Sequence, residues 1–243
     1  MIRRLWHNAR NTDKSTPPNG TSAASAATAA TTSASSASSA SSASSTTYTT
    51  YTSTITSAQK GTDMSRLPLV QPESATGAAA ELLAGVQKAL GVTPNMTKAM
   101  ANSPSVLKAY LGFSGALGEG VLPAPVRERI ALLVAQENGC DYCLSAHTYL
   151  AANVAKLDDS ETAAARRAKS ADPKAQAALT LADAVLRTRG GLADADAQNA
   201  RAAGLTDAEI AEVIANVALN VFTNFINKGA GTEIDWPLVR HDS

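Results

Sequence analysis

The sequence holds two cysteines, three residues apart in Cys140-Asp141-Tyr142-Cys143, and His147 follows the second by four. A thiol reacts as its thiolate, so the chemistry of such a pair depends on what ionises it. On a helix turning about 100° per residue, positions 140, 143 and 147 fall in one narrow sector, so both thiols would share a face with the imidazole. Gly139, just before the pair, puts it at a helix N-terminus, where unpaired N–H groups and the helix dipole stabilise a thiolate. The imidazole can take a thiol proton or pair with the thiolate. Residues i and i+3 are also close enough to form a disulfide. The helix start favours Cys140 as the attacking sulfur and the histidine favours Cys143, so these arguments leave the choice open.

Other uses of a CxxC fit less well. Structural zinc usually has four ligands and often paired CxxC knuckles. This chain has one CxxC, and the other histidine of the region, His241, lies at the chain end, so no metal is expected. Covalent haem attachment needs histidine directly after the second cysteine, where Leu144 stands. A thioredoxin-type site needs a βαβ setting. Two cysteines can also lie one turn apart simply as core residues, but the neighbouring histidine and the helix start argue against coincidence. Glu128 precedes Cys140 by twelve residues, with apolar Ile130–Leu133 on its C-terminal side. Spacing alone reads it as an exposed carboxylate favoured by the dipole at a helix start.

The segments that must carry these residues show 3.6-residue apolar periodicity and no strand-like alternation. Helices are expected over about 77–90, 95–102, 105–117, 124–138, 140–155, 159–169, 173–189 and 194–203. Pro94, Pro104, Pro123 and Pro125 mark starts, and Gly139 marks an end. Thr206-Asp207-Ala208-Glu209 is a capping box. It opens a last helix with a wide apolar stripe (Ile210, Val213, Ile214, Val217, Val221, Phe222, Phe225) that ends at Gly229 and Gly231. The expected fold is an all-α compact helical bundle. Asn216, Asn220, Asn224 and Asn227 recur along the last helix and read as a solvated or hydrogen-bonded face. Arg166, Arg167 and Lys169 read as a solvated basic run, Trp236-Pro237 as a tail anchor, and Gly190-Gly191 as a turn.

Residues 64–243 form the expected domain, preceded by a tail of a different kind. From Thr21 to Ala58 the chain is Ser, Ala and Thr, interrupted by Tyr48, Tyr51 and Ile55. Such a tract has too little apolar bulk to offset the entropy of ordering, so residues 1–63 are expected to be disordered. The Arg-rich start loosely fits a transit peptide. An alternative expectation is that translation begins at Met64, because Lys60-Gly61 implies a purine-rich codon pair resembling a ribosome-binding site. Of the 21 basic and 21 acidic residues, 16 and 19 fall in residues 64–243. That balance argues against nucleic acid as a partner. No stretch reads as long and apolar enough to span a bilayer, so no membrane association is expected. A CxxC without a secretory signal points to a reducing cytoplasm.

Glu128, then Cys140-x-x-Cys143, then x-x-x-His147 resembles the motif of the alkyl hydroperoxidase D-like branch of the carboxymuconolactone decarboxylase family. The flanking Glu128–Val154 segment and Asn224-Phe225-Ile226-Asn227 look like the family's core helix pair and its peroxidase-related members. The resemblance covers roughly Met64 to Val239. It implies an all-α fold, assembly as a trimer, hexamer or other homo-oligomer, and an antioxidant role as a weak peroxidase. Electrons would come from a dithiol, a lipoyl-type reductant or a partner peroxiredoxin. It implies no cofactor beyond a redox-active Cys140–Cys143 disulfide. Cys143 would attack peroxide and become a sulfenic acid, Cys140 would donate a proton and resolve it, and Glu128 and His147 would relay protons. Tyr142 departs from the motif, which has histidine there; a phenol with pKa about 10 is a poor base at neutral pH. Two alternatives remain. One is a decarboxylase-type lyase, a branch that works without the thiol pair; the other is a non-enzymatic helical oligomer whose dithiol is a switch.

Overall fold

Proline and glycine punctuate the chain where its helices start and stop. A computed structural model describes residues 65–242. The expected disordered tail and the start inferred at Met64 lie outside the described residues. The helices are α1 (Gly77–Leu90), α2 (Asn95–Met100), α3 (Pro104–Gly118), α4 (Ala124–Glu137), α5 (Asp141–Leu150), α6 (Asp159–Ala165), α7 (Pro173–Thr188), α8 (Asp194–Ala202) and α9 (Asp207–Ala230). No strand occurs among the described residues, as the all-α expectation requires. Prolines occupy the first helical turn of α3, α4 and α7, where their missing N–H costs nothing. At the start of α9, Glu209 N–H donates to Thr206 Oγ1 (3.2 Å) and Thr206 N–H to the Glu209 carboxylate (2.9 Å), closing the capping box read from the sequence.

Two helix ends differ from expectation. The helix expected over 140–155 stops being α-helical at Leu150 and continues as a π-helical turn, Ala151–Ala155, closed by Lys156 at φ +62°. The helix expected over 159–169 ends at Ala165. There Ala168 turns left-handed at φ +55°. Its carbonyl accepts from Gln176 Nε2 at 3.0 Å, and Ser170 N–H donates to Gln176 Oε1 at 2.9 Å, which reverses the chain into α7.

The run Ile130–Ala135 is apolar all round, the pattern of a buried helix, and α4 lies at the centre of the bundle. Ile130, Leu132, Leu133, Val134 and Ala135 are at most 1% exposed, and α5, α7 and α9 pack around them. A second core joins Leu83, Met100, Ala101 and Leu107 from α1–α3. Arg129, buried on α4, is neutralised by Glu161 of α6 at 2.7 Å, as a buried charge requires. By length and composition α9 is apolar enough to cross a bilayer, which corrects the expectation that no stretch qualifies. Half of its most apolar stretch is buried inside the bundle, so here its length serves a core helix.

Leu144 of α5 is completely buried in the main core. Leu144→Ala is expected to lower unfolding stability by about 2–5 kcal/mol, read as a drop in the urea midpoint at unchanged slope. A change under about 1 kcal/mol would mean that the α5 side of this core is not packed as described.

Candidate active site

The site forms at the corner between α4 and α5. Past Glu137 the chain runs through Asn138 to Gly139 at φ +57°, and Cys140 N–H returns to the Ala135 carbonyl at 2.9 Å. Glycine suits 139 because the backbone there is left-handed; the His241 ring, 3.2 Å from an added Cβ, would also have to shift slightly for any other residue. Cys140 is thereby the N-cap of α5. Its Sγ accepts the Cys143 N–H at 3.3 Å, the task usually done by a Ser or Asp oxygen. The two sulfurs are 2.6 Å apart, unbonded to other cysteines, and their residues are 1% and 3% exposed.

This geometry separates the two thiols electrostatically. The hydrogen bond from the Cys143 thiol lowers the Cys140 pKa. Burial opposes this, while the Cys143 N–H and the charges of His147 and Lys228 assist it. Burial, followed by the hydrogen bond and charge of Cys140, pushes Cys143 well up, against the amides of Asn227 and Asn224. Of the two sulfurs, the geometry therefore favours Cys140 for negative charge and Cys143 for the proton. The resemblance names Cys143 as the attacking sulfur; transfer of that proton across the 2.6 Å contact would convert one state into the other.

Glu128 is not the exposed carboxylate that spacing suggested. Packing of α4 on α5 brings its Oε2 to 2.8 Å from His147 Nδ1, with the two side chains 19% and 23% exposed. A carboxylate accepts only, so Nδ1 carries the proton and Nε2 is the ring's other, reactive nitrogen. Burial alone would lower the His147 pKa; the charge and hydrogen bond of Glu128 outweigh it, and the net shift is upward. All four sequence-derived site residues thus lie on one helix pair: Glu128 and His147 joined, Cys140 and Cys143 joined, and the His147 charge acting on Cys140.

Of the two readings of the asparagine stripe, solvated or hydrogen-bonded, the structure shows the hydrogen-bonded one, buried inside the bundle. Asn216, Asn220, Asn224 and Asn227 are at most 6% exposed. Asn227 Nδ2 donates to Cys143 Sγ at 3.2 Å, and Asn138 Nδ2 donates to Asn224 Oδ1 at 2.9 Å. Asn224 Nδ2 and Asn227 Oδ1 are buried without a hydrogen-bond partner, at a usual cost of about 1–3 kcal/mol each. Their periodicity could have signalled this: polar groups on the inner side of an apolar helix are buried with it. Tyr142 is 5% exposed, its hydroxyl accepts from Met96 N–H at 3.0 Å, and burial pushes its pKa far up. It packs in the core and is held by a hydrogen bond to α2.

Sequence reasoning also missed the C-terminal segment. His241, expected at a frayed end, sets Nδ1 2.7 Å from Asp141 Oδ1, and Ser145 Oγ receives Val239 N–H at 2.9 Å. Arg166, read as solvated, is half-buried and donates to the Arg240 carbonyl at 2.9 Å. Trp236 anchors as expected, with its ring 5.5 Å from that of Tyr149. Lys228 Nζ donates to the Asn138 carbonyl and adds positive charge near Cys140. Among the described residues, no three His, Cys, Asp or Glu side chains converge as a metal shell would require.

Residues 104–184 match the model of the carboxymuconolactone decarboxylase family. No curated protein matches the chain. Solved structures share its fold, three of them as follows. One, an alkylhydroperoxidase AhpD core described as an uncharacterized peroxidase-related protein from Ralstonia eutropha JMP134, is 24% identical with a TM-score of 0.63, over 70% of this chain and 92% of that one. A peroxidase-related protein from Silicibacter sp. TM1040 is 24% identical with a TM-score of 0.61, over 72% and 94%. A single-residue variant of the debrominase Bmp8, in complex with 2,3,4-tribromopyrrole, is 21% identical with a TM-score of 0.58, over 71% and 94%. One fold thus carries different chemistries, so the reaction has to be argued from the site. The segment that holds Glu128, both thiols and His147 thus matches the carboxymuconolactone decarboxylase family model, and the chain around it has an all-helical fold of the alkylhydroperoxidase type.

Proposed function

We propose that the chain is a dithiol-dependent peroxidase and disulfide oxidoreductase whose redox centre is Cys140–Cys143. The observation that carries this reading is the thiol pair at 2.6 Å on a helix N-terminus, beside a Glu128–His147 ion pair. A stabilised thiolate beside a resolving thiol is the signature of redox cysteines.

The cycle starts from a Cys140 thiolate, a Cys143 thiol and a protonated His147. Cys143 gives its proton to Cys140 as its sulfur attacks the terminal oxygen of a hydroperoxide. The S–O bond forms, the O–O bond breaks, and the leaving alkoxide takes a proton from His147 to become an alcohol. The Cys140 thiol then attacks the Cys143 sulfenic acid. The disulfide forms, the S–O bond breaks, and hydroxide leaves with the Cys140 proton as water. An external dithiol, lipoyl-type or on a partner peroxiredoxin, reduces the disulfide, becomes a disulfide itself, and restores the two protons to Cys143 and His147. A reducing cytoplasm is the matching compartment. Exposed Phe225 and Ile214 on α9 and Phe113 on α3 support assembly as a homo-oligomer.

The test is peroxide consumption by the whole chain with a dithiol donor, on material whose mass is read by light scattering. One dithiol should be oxidised per peroxide consumed, by an oligomer. A folded, fully reduced protein without turnover would overturn the peroxidase reading; if its dithiol still oxidised and changed the assembly, a redox switch would replace it. A strictly monomeric protein would count against the assembly.

A further inference from the structure

Two polar atoms next to the reacting sulfur lack partners. Asn224 and Asn227 stand one turn apart on α9 and are 0% and 3% exposed. Asn138 Nδ2 holds Asn224 Oδ1 at 2.9 Å, which fixes that amide with its buried NH2 group toward Cys143 but with no acceptor at full hydrogen-bond geometry. Asn227 uses its NH2 group on Cys143 Sγ at 3.2 Å and keeps its own carbonyl oxygen buried without a donor. Both amides stabilise negative charge on Cys143. Native interiors rarely leave such groups unmet, and an exception calls for an explanation. Packing specificity alone would be served by amides bonded to one another.

We infer that Asn224 and Asn227 form a receptor for the oxygen that oxidation adds to Cys143. A sulfenic acid S–O–H offers one acceptor, its oxygen, and one donor, its proton. The unmet atoms on α9 are one donor, Asn224 Nδ2, and one acceptor, Asn227 Oδ1. Attack of the Cys143 sulfur on peroxide forms the S–O bond and expels the alkoxide, which leaves protonated. The new hydroxyl then accepts from Asn224 and donates to Asn227. Held in this way, the oxygen lies on the α9 side of the sulfur, and the sulfur stays open to Cys140. The receptor also hinders a second oxidation to sulfinic acid, because the sulfenic acid is kept hydrogen-bonded and buried. This inference rests on the peroxidase reading with Cys143 as the attacking sulfur.

The experiment uses the whole chain in a Cys140→Ser background, where nothing resolves the sulfenic acid. After one equivalent of hydrogen peroxide, intact mass and dimedone labelling follow the singly and doubly oxygenated forms. Asn224→Asp and Asn227→Asp keep the side-chain size and remove a donor, and Asn227→Ala removes the acceptor as well; folding is checked by thermal unfolding. Each variant should form the sulfenic acid about ten- to a hundredfold more slowly, as expected for losing a hydrogen bond to a charged group. Each should also pass to sulfinic acid sooner, and thiolate absorbance should show a raised Cys143 pKa. A folded Asp variant that matches the parent in sulfenic acid formation, lifetime and thiol titration would overturn the receptor while leaving the peroxidase reading intact. In a parallel Cys143→Ser chain, sulfenic acid forming on Cys140 as fast as it forms on Cys143 in the Cys140→Ser parent would overturn it too. Absence of peroxide consumption in the unmutated chain would instead remove the peroxidase reading.

Discussion

Replacing Cys143 by serine is expected to abolish peroxide turnover, by about a thousandfold or more, since it removes the attacking sulfur. Cys140→Ser should end turnover as completely, yet leave one equivalent of oxidation trapped as sulfenic acid on Cys143. The two variants also test the electrostatics. The largest influence lowering the Cys140 pKa is the hydrogen bond from the Cys143 thiol, and Cys140 in turn helps to raise Cys143. With Cys143 replaced, Cys140 keeps its α5 N-cap position and the His147 and Lys228 charges but exchanges the thiol donor for a weaker-acid hydroxyl, so its pKa should rise. With Cys140 replaced, Cys143 loses a neighbouring negative charge and its pKa should fall. Alkylation rates against pH on the two single-cysteine proteins would read both shifts. If Cys140→Ser took up no oxygen while Cys143→Ser trapped a sulfenic acid on Cys140, the roles of the two sulfurs would have to be exchanged.

How much of this was legible beforehand depended on the range of the interaction. The capping box at Thr206, the glycine at 139 and the thiol N-cap are local, within about one helical turn, and the sequence shows them directly. The shared face of Cys140, Cys143 and His147 follows from helical periodicity. The Glu128–His147 contact does not: it joins two helices nineteen residues apart, and its length depends on how α4 and α5 cross. The asparagine stripe is visible in the sequence, but its periodicity leaves a solvated face and a hydrogen-bonded one equally open. Asn224 and Asn227 face inward because α9 packs on α4 and α5 there. The docking of His241 on Asp141 spans a hundred residues and has no periodic signal. The π turn at 151–155 likewise has no marker in Ala151-Ala152-Asn153-Val154-Ala155.

Glu128→Gln is expected to lower turnover about ten- to a hundredfold at slightly alkaline pH and much less near pH 6. The glutamine can still accept the His147 Nδ1–H, so orientation survives and the charge is lost. Burial of His147 is then opposed by less, and its raised pKa should drop. In the proposed cycle the imidazolium protonates the alkoxide, so the alkaline limb of a bell-shaped profile reports His147 and should move toward acid in the variant. The acid limb reports the thiolate. It should move slightly the other way, because the His147 charge assists Cys140. Stability carries the same signature with a definite sign. A histidine whose folded pKa exceeds its unfolded value of about 6.5 contributes stability that is complete below that pH and is lost as pH rises through the folded value. The stability gap between the native chain and Glu128→Gln should therefore be widest near pH 6 and close toward pH 9. Superimposable pH–rate profiles, together with a stability gap that ignores pH, would mean that Glu128 orients His147 without setting its charge, and the proton on the leaving alkoxide would have to come from elsewhere.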